Sequence, residues 1–461
     1  MSKIENAEGT GTSSAPSEGV SRRDVIKAAV GGGIALATGL CAPAVIGQAR
    51  PFSGVTIRGA CFQHHFQTGI TELLPEFEKL TGIKVDLELQ SFPIYNQRMD
   101  LELSTRGSSY DFCNVTFPYS GRWIGSGWIH PLDEFLKDAN ATPPDWNPDD
   151  FVGGAQTAFR DAQGRTYGFA WVAGVMMMGI ARMDILEKAG LKVPQTTDEL
   201  LKVCQATHTS QTAAFVNDKL HHWEWLPYLM AFGGSVFKSV PNDLTPALNT
   251  PAAIAAAQYY ADILAKYAPS GVLSYTDDQA QRAQMTSRAN IRTTSVDWLL
   301  ALGKSPESQV RDTVRFAPMP AGPAGRFPAV NGNAYGIPAG AKQKRAAWEF
   351  IKWALSKDMV RRMALEKNQL STARRSVISD PEFRKMMTVN GQDVASIYLE
   401  TMDQTGKGGY MRYRTLPVFP QVGEKINKAI ERIASGQSTA AVAMAAAQEE
   451  AIADLKKSGA L

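Results

Sequence analysis

Cysteine is scarce, with four in 461 residues. No two are spaced as Cys-x-x-Cys, so the chain is not a disulfide scaffold and carries no paired-thiol centre. Excess charge of one sign is missing too. The 48 Lys plus Arg against 45 Asp plus Glu leave a net charge of +3, too little to hold a nucleic acid by neutralising phosphates. Long apolar runs are absent beyond the N-terminal region: the apolar stretch Trp171 to Ala181 has 11 residues, whereas a bilayer needs roughly 20. There is no repeat of fixed period. Nor is there a Gly-x-Gly-x-x-Gly after a strand, a His-Glu-x-x-His or a Gly-x-Ser-x-Gly. The one Gly-Lys pair that tempts a phosphate-loop reading, Gly406-Lys407, is followed by Gly408 and has no upstream glycine. What is present is 44% hydrophobic and 20% charged residues, the composition of a folded globular protein. The length exceeds what one core serves, so two domains are expected.

The N-terminus reads as an address. Ser21-Arg22-Arg23-Asp24-Val25-Ile26-Lys27 sets two arginines before an apolar segment, Ala28 to Leu40, too short to span a membrane. Ala42-Pro43-Ala44 and Gly47-Gln48-Ala49 follow as small-residue cleavage sites. Residues 1–49 are therefore expected to be a twin-arginine export signal, and the protein to be periplasmic. Leu40 before Cys41 is not the small residue a lipoprotein site requires. If cleavage follows Ala49, Cys61, Cys113 and Cys204 remain; whether any two pair is left open.

Val55 to Cys61 has strand character, and a helix capped by Thr71 and closed by Gly82 follows, with Leu74, Phe77 and Leu80 on one face. Residues 83–89 alternate apolar and charged side chains as a half-wet strand does. A helix over 94–104 and a strand over 110–115 complete a strand-helix-strand-helix-strand order, hence an α/β fold with a parallel sheet. Such sheets bind ligands at the carboxyl ends of their strands, here residues 62–67 and 116–120. Beyond Val175 the chain turns helix-rich, returns to short β-like runs near 314–316 and 331–338, and ends in helices, one with Val422, Ile426, Ile430 and Ile433 on a shared face.

Several stretches carry a resemblance. Phe77-Glu78-Lys79-Leu80-Thr81-Gly82-Ile83-Lys84-Val85 comes first, then Gly127-Trp128-Ile129-His130-Pro131-Leu132 and Tyr167-Gly168-Phe169-Ala170. Leu186-Glu187-Lys188-Ala189-Gly190-Leu191 with Thr197-Asp198-Glu199-Leu200 follows, then Ala317-Pro318-Met319-Pro320 and Ile337-Pro338-Ala339-Gly340. In this order they resemble family 1 of the extracellular solute-binding proteins of ABC importers, the sugar-binding group related to maltose-binding protein. The resemblance implies a two-lobed periplasmic-binding-protein fold (type II) with discontinuous lobes and a multi-crossing hinge. The crossings are expected near Tyr167, Phe316 and Thr372, giving one lobe of 50–168 plus 317–372 and another of 169–316 plus 373–461. It also implies a monomer without cofactor or metal, a carbohydrate or polyol as ligand, and as partners the transmembrane permease subunits with a separate ATPase.

A sugar cleft interleaves aromatic faces for C–H surfaces with polar groups for hydroxyls. The candidates are Gln63, His64 and His65 after the first strand, Phe117 and Tyr119 after the third, and Trp171 at a crossing. The resemblance adds Trp223, the pair Asp297-Trp298, then Asn331, Asn333 and Tyr335, and Arg374 in Thr372-Ala373-Arg374-Arg375. Each has a plainer reading. A lone aromatic is more often core, as Trp225 beside Leu226 illustrates, and Arg374 can simply pair with an acid. Adjacent histidines, His64-His65 and His221-His222, point different ways and make poor metal ligands. Where many relatives place a Trp between glycines, this chain has Gly332-Asn333-Ala334-Tyr335, which suits a monosaccharide or polyol more than a long oligosaccharide. Two alternatives stay open: the same fold holding a polyamine, ferric ion or peptide, or an exported enzyme. A cation would call for a cluster of carboxylates or paired tyrosines in the cleft, and the pair Tyr259-Tyr260 is expected mid-helix instead.

Overall fold

The computed structural model describes residues 51–408 and 410–461; the expected export signal at 1–49 lies outside them. The first strand, β1 (Thr56–Phe62), buries nearly every residue after Arg58. It feeds α1 (His65–Thr81), which begins six residues before the expected Thr71. The His64 side chain caps it, Nδ1 accepting from the Phe66 amide at 3.1 Å. The buried stripe is Phe66, Ile70, Leu73 and Phe77, a rotation that leaves Leu80 64% exposed. Gly82 ends the helix as expected, at φ 80° in the left-handed region.

Next come β2 (Lys84–Gln90), α2 (Phe92–Ser104) and β3 (Phe112–Thr116). β1 pairs in parallel with both strands, Thr56 opposite Lys84 and Gly59 opposite Phe112, so the expected parallel unit is present. The apolar run that is too short for a membrane is β4 (Phe169–Ile180), with all twelve residues buried. The remaining main strands are β5 (Ala213–Phe215), β6 (Ala289–Ser295) and β7 (Val330–Pro338).

The order across the sheet is β2-β1-β3-β7-β4-β6-β5. β7 runs antiparallel to both β3 and β4, and the far half of β4 pairs antiparallel with β6, Met176 opposite Ser295. β5 and β6 are again parallel. Two parallel units, β2-β1-β3 and β5-β6, are thus joined through two long antiparallel strands, the frame of a mixed α/β, two-lobed periplasmic-binding-protein fold. Both parallel units aim the carboxyl ends of their strands at the middle of the molecule, where such sheets hold ligands. Among the described residues, Cys61, Cys113 and Cys204 are buried free thiols. Burial pushes Cys113 and Cys204 up to about 12, so none of the three is a reactive thiolate.

Candidate functional site

A cavity of about 180 Å³ opens at the carboxyl ends of β5 and β6. Thr294 and Ser295 end β6, and Asp218 follows β5 by three residues. Trp223 from the short helix His221–Glu224 and Trp298 from α3 (Val296–Lys304) supply aromatic walls, while Gly174 of β4 and Asn331 of β7 form the side next to the crossing strands. Gly174 leaves room there for two polar side chains. Its amide donates to Asn331 Oδ1 at 3.1 Å, and a Cβ would lie 2.2 Å from that oxygen and 2.8 Å from Ser295 Oγ.

The polar wall is a carboxyl cluster around a buried guanidinium. Arg292, on β6, donates from Nη2 to Asp218 Oδ2 at 3.1 Å and to Asp277 Oδ1 at 2.6 Å. The Leu220 amide donates to the other Asp218 oxygen at 2.7 Å. Burial, then the nearby Asp218, pushes Asp277 up to about 6 against the pull of Arg292. Burial and the same aspartate hold Glu224 well above the usual carboxylate range.

Of the residues expected at a cleft, Trp223, Trp298 and Asn331 line this cavity. Phe117 reaches it indirectly, its ring meeting that of Trp223 edge-on at 5.3 Å. Asp297 and Trp298 are expected in the cleft as a pair, yet consecutive helical residues diverge by about a quarter turn or more. Asp297 joins His65 in a second cavity, of about 470 Å³, with Lys304 and Lys367. Asp297 keeps surface open to that cavity while protein crowds it on most sides. The crowding raises its pKa, opposed by Ser371, Ser295 and His65.

Other candidates lie elsewhere. Gln63 is exposed at the end of β1, its amide donating to the Gln90 carbonyl. His64 caps α1 and sits edge-on to Trp171 at 4.8 Å, and burial pushes its imidazole down to about 3. Trp171 is buried, stacked on Phe66 at 5.1 Å. Tyr335 is a core residue that donates to Gln67 Oε1. Tyr119 packs on Trp123, and Asn333 is half-buried on β7. Arg374 is fully engaged by the protein, donating to Asp150 Oδ2 at 2.8 Å and to the carbonyls of Leu355 and Trp146 at 2.8 and 2.7 Å. Trp225 is core, and His222 is tied to Asn427.

Asp218, Glu224, Asp277 and Arg292 escaped the sequence reading. A signal for one of them existed. Asp218 and Ser295 stand at the ends of neighbouring parallel strands, the positions that drew attention to Phe117 in the first unit.

Residues 65–360 match the bacterial extracellular solute-binding protein family. A probable amino-acid ABC transporter periplasmic-binding protein of Sinorhizobium fredii is 23% identical, over 73% of this chain and 76% of its own. The erythritol/L-threitol-binding protein of Mycolicibacterium smegmatis is 21% identical, over 73% and 74%. Among solved structures, an ABC transporter solute-binding protein from Agrobacterium radiobacter K84, in complex with ribitol, superposes with a TM-score of 0.72 at 23% identity, covering 87% of this chain and 98% of that one. With the match spanning more than half its length and the two-lobe frame in place, the chain belongs to the bacterial extracellular solute-binding proteins.

Proposed function

We propose that this chain captures a small polyhydroxylated solute, a monosaccharide or polyol, between its lobes and delivers it to an ABC permease driven by a separate ATPase. The observation that carries the reading is the cavity itself, in which Trp223 and Trp298 flank Asp218, Asp277, Thr294 and Asn331. Such a wall offers flat faces to C–H surfaces and acceptors to hydroxyls. Its volume is below the roughly 300–1,000 Å³ of sites that enclose drug-sized ligands, which favours one ring or a short chain. The erythritol/L-threitol and ribitol named for two relatives support the same class. The role is capture without catalysis.

The lobes in this reading are 50–168 with 317–372 and 169–316 with 373–461, and the working unit is a monomer. Closure follows if the solute binds the closed form more tightly than the open one. Delivery to the periplasm uses the Arg22-Arg23 signal. Replacing both arginines by lysine should block export, and unchanged export in a strain lacking the twin-arginine translocase would refute that route.

The functional test is a thermal-shift screen of the purified chain against sugars, polyols, amino acids and polyamines. Saturable stabilisation by a sugar or polyol is expected, because a ligand specific to the native state raises its apparent stability. A response confined to amino acids or long polyamines would overturn the reading.

A further inference from the structure

The cavity wall is electrostatically one-sided. Asp218, Glu224 and Asp277 line it, and among the described residues no lysine, arginine or histidine does. Arg292 lies behind the wall, fully buried, with one Nη2 divided between Asp218 and Asp277. One guanidinium therefore serves two carboxylates, and a third carboxyl stands beside them. A wall short of positive charge favours a ligand that brings it.

The two aspartates are not equally placed. Asp218 is buried, with its two oxygens accepting from Arg292 and the Leu220 amide. Asp277 keeps 32% of its side chain exposed, so it is the acceptor a solute reaches. Trp298 adds a ring face that attracts both C–H surfaces and cations, while the Trp223 ring carries the Arg414 guanidinium 3.6 Å from its centre, a cation that packs on this ring and is not among the residues lining the cavity. Among the described residues no three carboxylate, imidazole or thiol groups are grouped as metal ligands, so the wall suits an organic cation better than a bare metal ion.

Building on the capture reading above, we propose that the solute carries a protonated amine as well as hydroxyls, an amino sugar or aminopolyol, and that Asp277, backed by Asp218, receives its ammonium group. An amino acid fits less well, because its carboxylate would face carboxyl groups with no cation on the wall. Sugar acids are disfavoured on the same ground. The small volume favours a compact ligand over a peptide or a long polyamine.

Matched pairs test this by calorimetry on the purified chain near neutral pH: D-glucose with D-glucosamine, D-mannose with D-mannosamine, and D-glucitol with 1-amino-1-deoxy-D-glucitol. The amino member of at least one pair should bind tenfold or more tightly than its neutral parent. Asp277→Asn should bring the ratio of amine to parent affinity close to one, whatever it does to the parent's own affinity. Neutral parents that bind as tightly as, or more tightly than, their amino partners would overturn the amine inference and leave sugar capture standing. Failure of every compound in every pair would overturn both. An amine preference undiminished in Asp277→Asn would remove Asp277 from the assignment.

Discussion

The ring of Phe117, just beyond β3, meets the ring of Trp223 edge-on, with centroids 5.3 Å apart and planes at 71°. These residues follow strands of the two different parallel units, so the contact ties one side of the cleft to the other. The guanidinium of Arg414 lies 3.6 Å from the centre of the same Trp223 ring and 5.6 Å from that of Phe117. Trp223 thus lines the cavity and also packs against Phe117 and Arg414.

Trp223→Ala should therefore weaken solute binding roughly ten- to a hundredfold, since aromatic pairs contribute about 0.5–1.5 kcal/mol each and cation–π contacts up to about 2. Because the ring is only half-buried, the thermal midpoint should fall by no more than a few degrees. Calorimetry with a solute found in the screen reads the first effect and circular dichroism melting the second. An unchanged Kd would take Trp223 out of the site.

Arg374 should behave as a stability residue. It is nearly inaccessible, its guanidinium lies 4.5 Å from the Phe151 ring centre, and its partner Asp150 also accepts from the Ser376 amide and hydroxyl at 2.8 and 2.6 Å. Arg374→Ala strands a buried carboxylate, which costs about 3–5 kcal/mol in comparable pairs. Urea unfolding should show that loss, and the folded fraction should bind solute with wild-type affinity. Lost binding at wild-type stability would assign Arg374 to the cleft.

The first parallel unit was legible because its strands and helices follow one another closely: periods of two and then three to four, a Gly at the turn, and the loops at the strand ends all agree. The start of α1 was not, because His64 caps it with a ring nitrogen, outside the usual Ser, Thr, Asp and Asn signals. In the second unit the three-residue β5 and β6, buried in all but its last residue, carry no alternation to read. The Asp218–Arg292–Asp277 cluster joins residues far apart in sequence, and only the folded sheet brings them together. Asp297 and Trp298 show the opposite limit. Adjacent in sequence, they serve different cavities.

Buried histidines should make the fold sensitive to mild acid. Burial, reinforced by His65, pushes His64 down to about 3, and burial pushes His221 and His222 down to about 4. Unfolded histidines titrate near about 6.5. Between these values the unfolded chain holds protons that the folded chain lacks, so this contribution is present above about 6.5 and is lost as pH falls toward 4. Each proton corresponds to about 1.4 kcal/mol per pH unit. The ring nitrogens of His221 have no protein partner among the described residues, which makes His221→Phe a mild replacement. Urea melts at several pH values between about 4 and 7 should give the variant a slope shallower by up to one proton. Parallel slopes would show that His221 takes up no proton on unfolding.

Glu224 should tolerate glutamine, and more so at higher pH. Its carboxyl is buried, and the burial, with Asp218 and Asp277 close by, holds it protonated well above the usual range despite Arg292. A neutral carboxyl and a carboxamide have nearly the same shape, so Glu224→Gln preserves the packing. An unfolded glutamate ionises near about 4.3. The wild type therefore loses stability as pH rises above that value toward the folded pKa, while the variant does not. Urea melts at about pH 5 and about pH 8 should show the stability difference, variant minus wild type, becoming more favourable to the variant at the higher pH. A difference independent of pH would mean that Glu224 is already ionised in the folded protein, and the cavity wall would then carry a full third negative charge.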